Sequence, residues 1–161
     1  MAIQVGDSMP EGTSGVMTAE GPGAMTSAEL FAGKKVVLFS VPGAFTPACS
    51  ARHLPGFVEH AAALKAKGVD TIACVAVNDV FVMSAWGKDQ SAGDKVVMLA
   101  DGNAAYTKAL GLELDASGFG MGTRGQRFAL VVDDGKVSQV HVEAAASSVE
   151  ASSAENILAN L

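Results

Sequence analysis

The chain has few cysteines, few basic residues and no long apolar run, and each shortage excludes a class of protein. Two cysteines in 161 residues, with no CxxC pair and no Cys/His cluster at ligand spacing, leave no disulfide framework, zinc site or thioredoxin-type dithiol. No metal or cofactor is expected. Eleven Lys and Arg face 17 Asp and Glu, a formal net charge of -6, which is the wrong balance for a surface that tracks phosphates. Nucleic acid is not an expected partner. No stretch approaches the roughly 20 apolar residues of a membrane span, and the opening "MAIQVGDSMPEGT" lacks the basic start and apolar run of a secretory signal. A cytoplasmic location without a membrane partner is expected.

What the chain does have is apolar residues, 49% of the total, enough to fill the core of one domain spanning residues 1–161. The first 30 or so residues, rich in Gly, Ser, Thr and Met, read as loops and hairpin pieces. "KKVVLFSV" then reads as a strand buried on both faces. Phe57, Ala61 and Leu64 recur at helical spacing up to a stop at Gly68, and "VDTIACVAVN" is a second buried strand. "NDVFVMSAWGKDQ" reads as a helix capped by Asn78 or Asp79, "KVVMLAD" as a strand, and "NAAYTKALG" as a helix ending at Gly111. After a glycine-rich loop, "RFALVVDDGKVSQVHVE" makes two strands joined by the Asp134-Gly135 turn. Ser152 to Glu155 then has the spacing of a capping box for a last helix. Parallel strand-helix units followed by an antiparallel hairpin and a helix make an α/β, thioredoxin-like order: a central mixed sheet flanked by helices, with an N-terminal hairpin extension.

The first cysteine lies in "SVPGAFTPACSARHLPGF", residues 40–57. Thr46 and Pro47 form an N-cap and N1 pair, because Pro has the right φ for a first helical residue and loses only a donor that had no partner. Cys49 is then the third residue of the helix, where unpaired N–H groups and the helix dipole favour an anion. Turning an ordinary thiol largely into thiolate at neutral pH takes about 4 kcal/mol, more than a helix end supplies. A cation must help. Arg52, Arg124 and Arg127 are the candidates, and spacing alone does not separate them. His53, four residues on, reads as a packed histidine rather than a base.

Pro42, Thr46 and Cys49 stand as PxxxTxxC, and "VPGAFTPACSARHLPGF" resembles the active-site segment of the type II, peroxiredoxin-five-like peroxiredoxins. "GVDTIACVAVNDVFVMSAWGK", "LADGNAAYTKALGLELD" and "RFALVVDDGKV" are similar to family segments in the same order, from about residue 34 onward. The resemblance implies a thiol-dependent peroxidase in which Cys49 is the peroxidatic cysteine, Thr46 and Pro42 shape its pocket, and Arg127, just before "FALVV", is the catalytic cation. It also implies peroxide as substrate, glutathione with glutaredoxin or thioredoxin as reductant, and a homodimer packed through the Phe45 loop and the apolar "VFVMSAW" helix.

Three rival readings stand beside this one. A GxGxxG at Gly120, Gly122 and Gly125 precedes a strand rather than following one and opening a helix, so it reads as a flexible loop and not as a dinucleotide site. A disulfide reductase needs the CxxC that is missing. A redox sensor on the same fold would be oxidised once without steady turnover. The second cysteine, Cys74, sits where both alternating sets of "TIACVAVN" are apolar, so it reads as buried. Plant-like members have a cysteine matching this position, proposed to resolve the Cys49 sulfenic acid. A disulfide requires Cα atoms within about 7 Å, which implies local unfolding of the Cys49 helix, and Pro55 limits how far that spreads. Direct reduction by an external thiol is the expectation.

Overall fold

The computed structural model describes residues 1–161. A hairpin of β1 (Thr13–Thr18) and β2 (Gly21–Thr26) leads into the short helix α1 (Ser27–Phe31), capped by Thr26 and Glu29 in a reciprocal box. Next come β3 (Lys35–Ser40), a π-helical turn at Cys49–His53, α2 (Leu54–Glu59), α3 (Ala61–Ala66) and β4 (Thr71–Ala76). The middle of the chain supplies α4 (Val80–Asp89), β5 (Val97–Ala100), α5 (Ala105–Ala109), β6 (Glu113–Asp115) and β7 (Thr123–Gly125). It closes with β8 (Phe128–Asp133), β9 (Lys136–Val142) and α6 (Ala154–Asn160).

Seven strands form one mixed sheet in the order β2-β1-β5-β4-β3-β8-β9. The inner strands β3, β4 and β5 run parallel, and β8 pairs antiparallel with β3. Strand alternation sorts the side chains into two cores. Val37, Phe39, Ile72, Cys74, Ala129 and Val131 face one way and pack with residues of α2, α3, α4 and α6. Val36, Leu38, Ala73, Val75, Leu130 and Val132 face the other way, with residues of α1 and α5. The central strands are therefore covered on both faces, and that is why their sequences are continuously apolar.

Four local readings change. The N-terminal hairpin is part of the sheet: β1 lies beside β5 through the Gly15–Ala100 pair. The helix read from Phe57 to Leu64 is two helices divided at His60, although Phe57, Ala61 and Leu64 all remain buried. The glycine-rich loop contains a small ladder of β6 and β7, whose turn uses positive φ at Gly120 and Gly122. The last helix is capped by Ser153, which accepts from the Asn156 N–H, because the Ser152 hydroxyl points inward and donates to Glu143 at 2.6 Å.

Gly111 is the close approach that ties the N-terminus to this frame. It has a φ of 70°, and an added Cβ would run into the Met1 carbonyl and Ala2, beside the Ile3 N–H···O=C Leu110 bond of 2.9 Å. We expect Gly111→Ala to destabilise the protein by about 1–3 kcal/mol, read as a shift of the urea midpoint. A change within the error of the measurement would show that the N-terminal segment relaxes freely.

Candidate active site

The sulfur of Cys49 sits at a junction of three elements. Thr46 is the backbone N-cap, since the Ser50 N–H bonds its carbonyl at 2.9 Å. Its hydroxyl does not cap: the Oγ1 lies 2.6 Å from the Gly43 carbonyl and 2.8 Å from Cys49 Sγ. One proton thus serves two acceptors. Beside a thiol, the Thr46 oxygen accepts the S–H and donates to Gly43; beside a thiolate, it can turn its proton to the sulfur.

The helix that carries Cys49 widens at the site. The Leu54 N–H donates to the Cys49 carbonyl, five residues back. Pro55 accounts for this locally, because it lacks an N–H and its ring would strike the carbonyl of Ala51 in a regular α-helix. Cys49, His53, Leu54 and Phe57 are all buried along this segment.

Of the three arginines, Arg127 is the one at the sulfur: its Nη2 donates to Cys49 Sγ at 3.0 Å, and the residue is buried. Arg127 stands one residue before β8, beside β3, so the sheet carries it to the loop that follows β3. Its Nε donates to the Ala146 carbonyl at 2.8 Å, and its Nη1 to His53 Nδ1 at 2.9 Å. Arg124 binds the carbonyls of Val77 and Met121 instead, bracing the β7 turn against the end of β4. Arg52 is exposed to solvent. Pro42 lies buried in the bend after β3, followed by Gly43, which is packed closely against Thr46, Met121 and Arg124.

His53 is more than packing. The ring lies against Phe39 and Phe57, with centroids at 4.9 and 5.7 Å, while its Nε2 is 3.0 Å from the Ser152 carbonyl. A carbonyl only accepts, so the Nε2 carries the proton and Nδ1 offers a lone pair to Arg127. Burial, reinforced by the Arg127 charge, pushes the imidazole down from 6.5 to about 3. The sequence could not show this pairing, because its partners lie 74 and 99 residues away.

Cys74 lies on β4 in the same core as Cys49, fully buried and opposite Phe39 and Met98 in the ladders. Burial, then the neighbouring Cys49, pushes its thiol well above the usual range, against a smaller pull from Arg127. Both cysteines are free thiols.

The depressed His53 value sets a pH window. The unfolded chain takes up the proton near 6.5 and the folded one near 3, so the stability this neutral ring provides is fully present above about 6.5 and is lost as pH falls toward 3. The slope is at most about 1.4 kcal/mol per pH unit. Between pH 7 and pH 5 the protein should therefore lose up to about 2 kcal/mol more unfolding free energy than its His53→Asn variant, measured by urea titration at one protein concentration. Equal losses would mean that the buried ring ionises in place.

Comparison with known proteins gives this arrangement a family. Residues 4–158 match the Redoxin family model. Peroxiredoxin-2B of Arabidopsis thaliana is 50% identical over 157 residues, covering 97% of this chain and 96% of that protein. The chloroplastic peroxiredoxin-2E-2 of Oryza sativa subsp. japonica is 51% identical over 161 residues, covering 97% of this chain and 71% of that one. The crystal structure of reduced Prx3 from Vibrio vulnificus in complex with hydrogen peroxide superposes with a TM-score of 0.93 at 56% identity, covering 98% of each chain. With the likeness running the length of the chain in both sequence and fold, this protein belongs to the redoxin family as a type II peroxiredoxin, a thiol-dependent peroxidase of thioredoxin-like fold.

Proposed function

We propose that Cys49 is the peroxidatic thiol, with Arg127 and Thr46 as its catalytic partners and Pro42 as part of the wall that keeps water away. The observation that carries this reading is the buried sulfur held between Thr46 Oγ1 at 2.8 Å and Arg127 Nη2 at 3.0 Å. Thiolate attack on a peroxide oxygen forms an S–O bond as the O–O bond breaks. Sulfur is oxidised to the sulfenic acid, and the peroxide is reduced to water or an alcohol once the departing oxygen takes a proton. That oxygen leaves with the electron pair, so a donor fixed at the site lowers the barrier most. Arg127 has N–H groups for both the thiolate and the leaving oxygen, and Thr46 adds a hydroxyl that can donate to either.

Regeneration takes two external thiols. The first condenses with the sulfenic acid, releasing water, and the second displaces Cys49 from the mixed disulfide. We assign this role to glutathione with glutaredoxin, or to thioredoxin, rather than to Cys74, whose burial on the central strand β4 argues against an easy approach. The whole chain acts as one domain, since both cores share β3, β4 and β8. Exposed Phe45, in the loop before Cys49, and exposed Phe81, on α4, favour a homodimer packed across this face. We keep the cytoplasm as the proposed location, although relatives from rice and Arabidopsis thaliana are chloroplastic. No helix is long and apolar enough to cross a membrane.

Cys49→Ser should abolish peroxide turnover with the fold retained. Arg127→Ala should slow peroxide attack by roughly 100-fold or more, while Arg124→Ala stays within a few-fold of the parent. Turnover by Cys49→Ser would overturn the thiol assignment, and equal losses in the two arginine variants would overturn the choice of cation. Repeated cycles in a peroxide assay with excess thiol would also exclude a sensor that is oxidised once.

Cys74→Ser should keep most of its glutaredoxin-coupled turnover. An intramolecular Cys49–Cys74 disulfide, seen by mass spectrometry after one equivalent of peroxide and accompanied by lost turnover in the variant, would make the protein a two-cysteine enzyme.

A further inference from the structure

The reaction draws on the charge of Arg127, yet no carboxylate touches that guanidinium. The three hydrogen-bond partners of the guanidinium are uncharged or are the sulfur itself: the Ala146 carbonyl, the His53 ring and Cys49. A carboxylate in direct contact would orient the arginine and also neutralise it at the place where the thiolate needs a cation. A carboxylate that organises this end of the site stands one step away from the guanidinium. Glu143 follows β9, and its N–H bonds the Arg127 carbonyl at 3.0 Å. Its Oε2 accepts from the Glu150 N–H, the Ser152 N–H and the Ser152 hydroxyl at 2.8, 2.7 and 2.6 Å.

These three bonds close the loop 144–153 on itself. The same loop supplies both carbonyls that aim the arginine, Ala146 to its Nε and Ser152 to His53 Nε2. Ser152 is fully buried, so its carbonyl cannot turn to solvent without opening the loop. Donation from Nε2–H to the Ser152 carbonyl fixes the His53 tautomer, the tautomer leaves Nδ1 as an acceptor, and that acceptor holds one arm of a guanidinium whose other arm meets the sulfur.

We propose that His53 and Glu143 are positioning residues for peroxide reduction: Glu143 folds the 144–153 loop so that the Ser152 carbonyl sets the His53 ring, and His53 aims Arg127 at Cys49 without neutralising it. The inference rests on Cys49 being the attacking thiol. It explains why a histidine stands four residues after the cysteine, and why a C-terminal loop with no side chain at the sulfur is nonetheless stitched to the site.

The test compares pairs of variants that differ in the hydrogen bonding they retain. His53→Leu fills the space between Phe39 and Phe57 and offers Arg127 nothing; His53→Asn keeps an acceptor oxygen near the position of Nδ1. Glu143→Ala frees the loop, whereas Glu143→Gln retains an amide oxygen for the same three donors. Two readouts are taken on each folded variant: the ultraviolet titration of the Cys49 thiolate and the single-turnover rate of peroxide attack. His53→Leu and Glu143→Ala should move the titration to higher pH by a unit or more and slow attack at least tenfold at neutral pH. His53→Asn and Glu143→Gln should recover most of both. If Leu and Asn behave alike, or if Glu143→Ala loses stability with its titration unmoved, the two residues are structural only and the inference fails. Peroxide turnover by Cys49→Ser would instead remove the reading beneath it, so the two failures are separable.

Discussion

A buried guanidinium held 3.0 Å from a buried sulfur is the constraint around which the rest of the molecule is arranged. At that separation and an effective dielectric near 20, a full positive and a full negative charge attract by roughly 5 kcal/mol, several times what a helix end offers an anion. The π turn places the sulfur at the helix start, and the cation is the stronger of the two attractions a negative charge there would meet. Burying an arginine is unfavourable unless its donors are satisfied. Here the acceptors are a carbonyl and a neutral imidazole, which satisfy the donors and leave the charge uncompensated. His53 can do this only because burial and Arg127 itself keep it unprotonated.

The frame that delivers these groups was largely readable from the chain. Continuous apolar runs marked β3 and β4 as buried on both faces, Asp134 and Gly135 marked the β8–β9 turn, and the apolar character of both alternating sets around Cys74 predicted its burial. Local pattern carries this information because strand period and turn chemistry act over a few residues. The site was readable only in part. Thr46, Cys49 and His53 lie within one segment, but the three arginines are equivalent by spacing, and only pairing of β3 with β8 brings residue 127 to residue 49. Glu143 and Ser152 gave no signal of their own. The serine even looked like a helix cap, since sequence shows a hydroxyl at the right spacing but not a carboxylate from β9 drawing it inward. The β6–β7 ladder was missed because three-residue strands beside glycines lack a resolvable period.

The widened turn beneath the thiol shows how a local defect supports this arrangement. In a regular helix successive residues advance about 100°, so His53, four residues after Cys49, falls near the same face, while Leu54, five residues after, falls about 140° away. Both are nevertheless buried with Cys49. The bond from the Leu54 N–H to the Cys49 carbonyl spans five residues, and the extra residue in that turn brings Leu54 round to the core beside His53. Leu54 and Phe57 can then seal the apolar side of the helix while His53 stays free to accept from Arg127. Pro55 enforces the geometry, since a return to the α register would press its ring against the Ala51 carbonyl. The position of the proline thus links three requirements that compete in a uniform helix: a thiol in the first turn, an acceptor one turn later on the same face, and an unbroken apolar seal behind them.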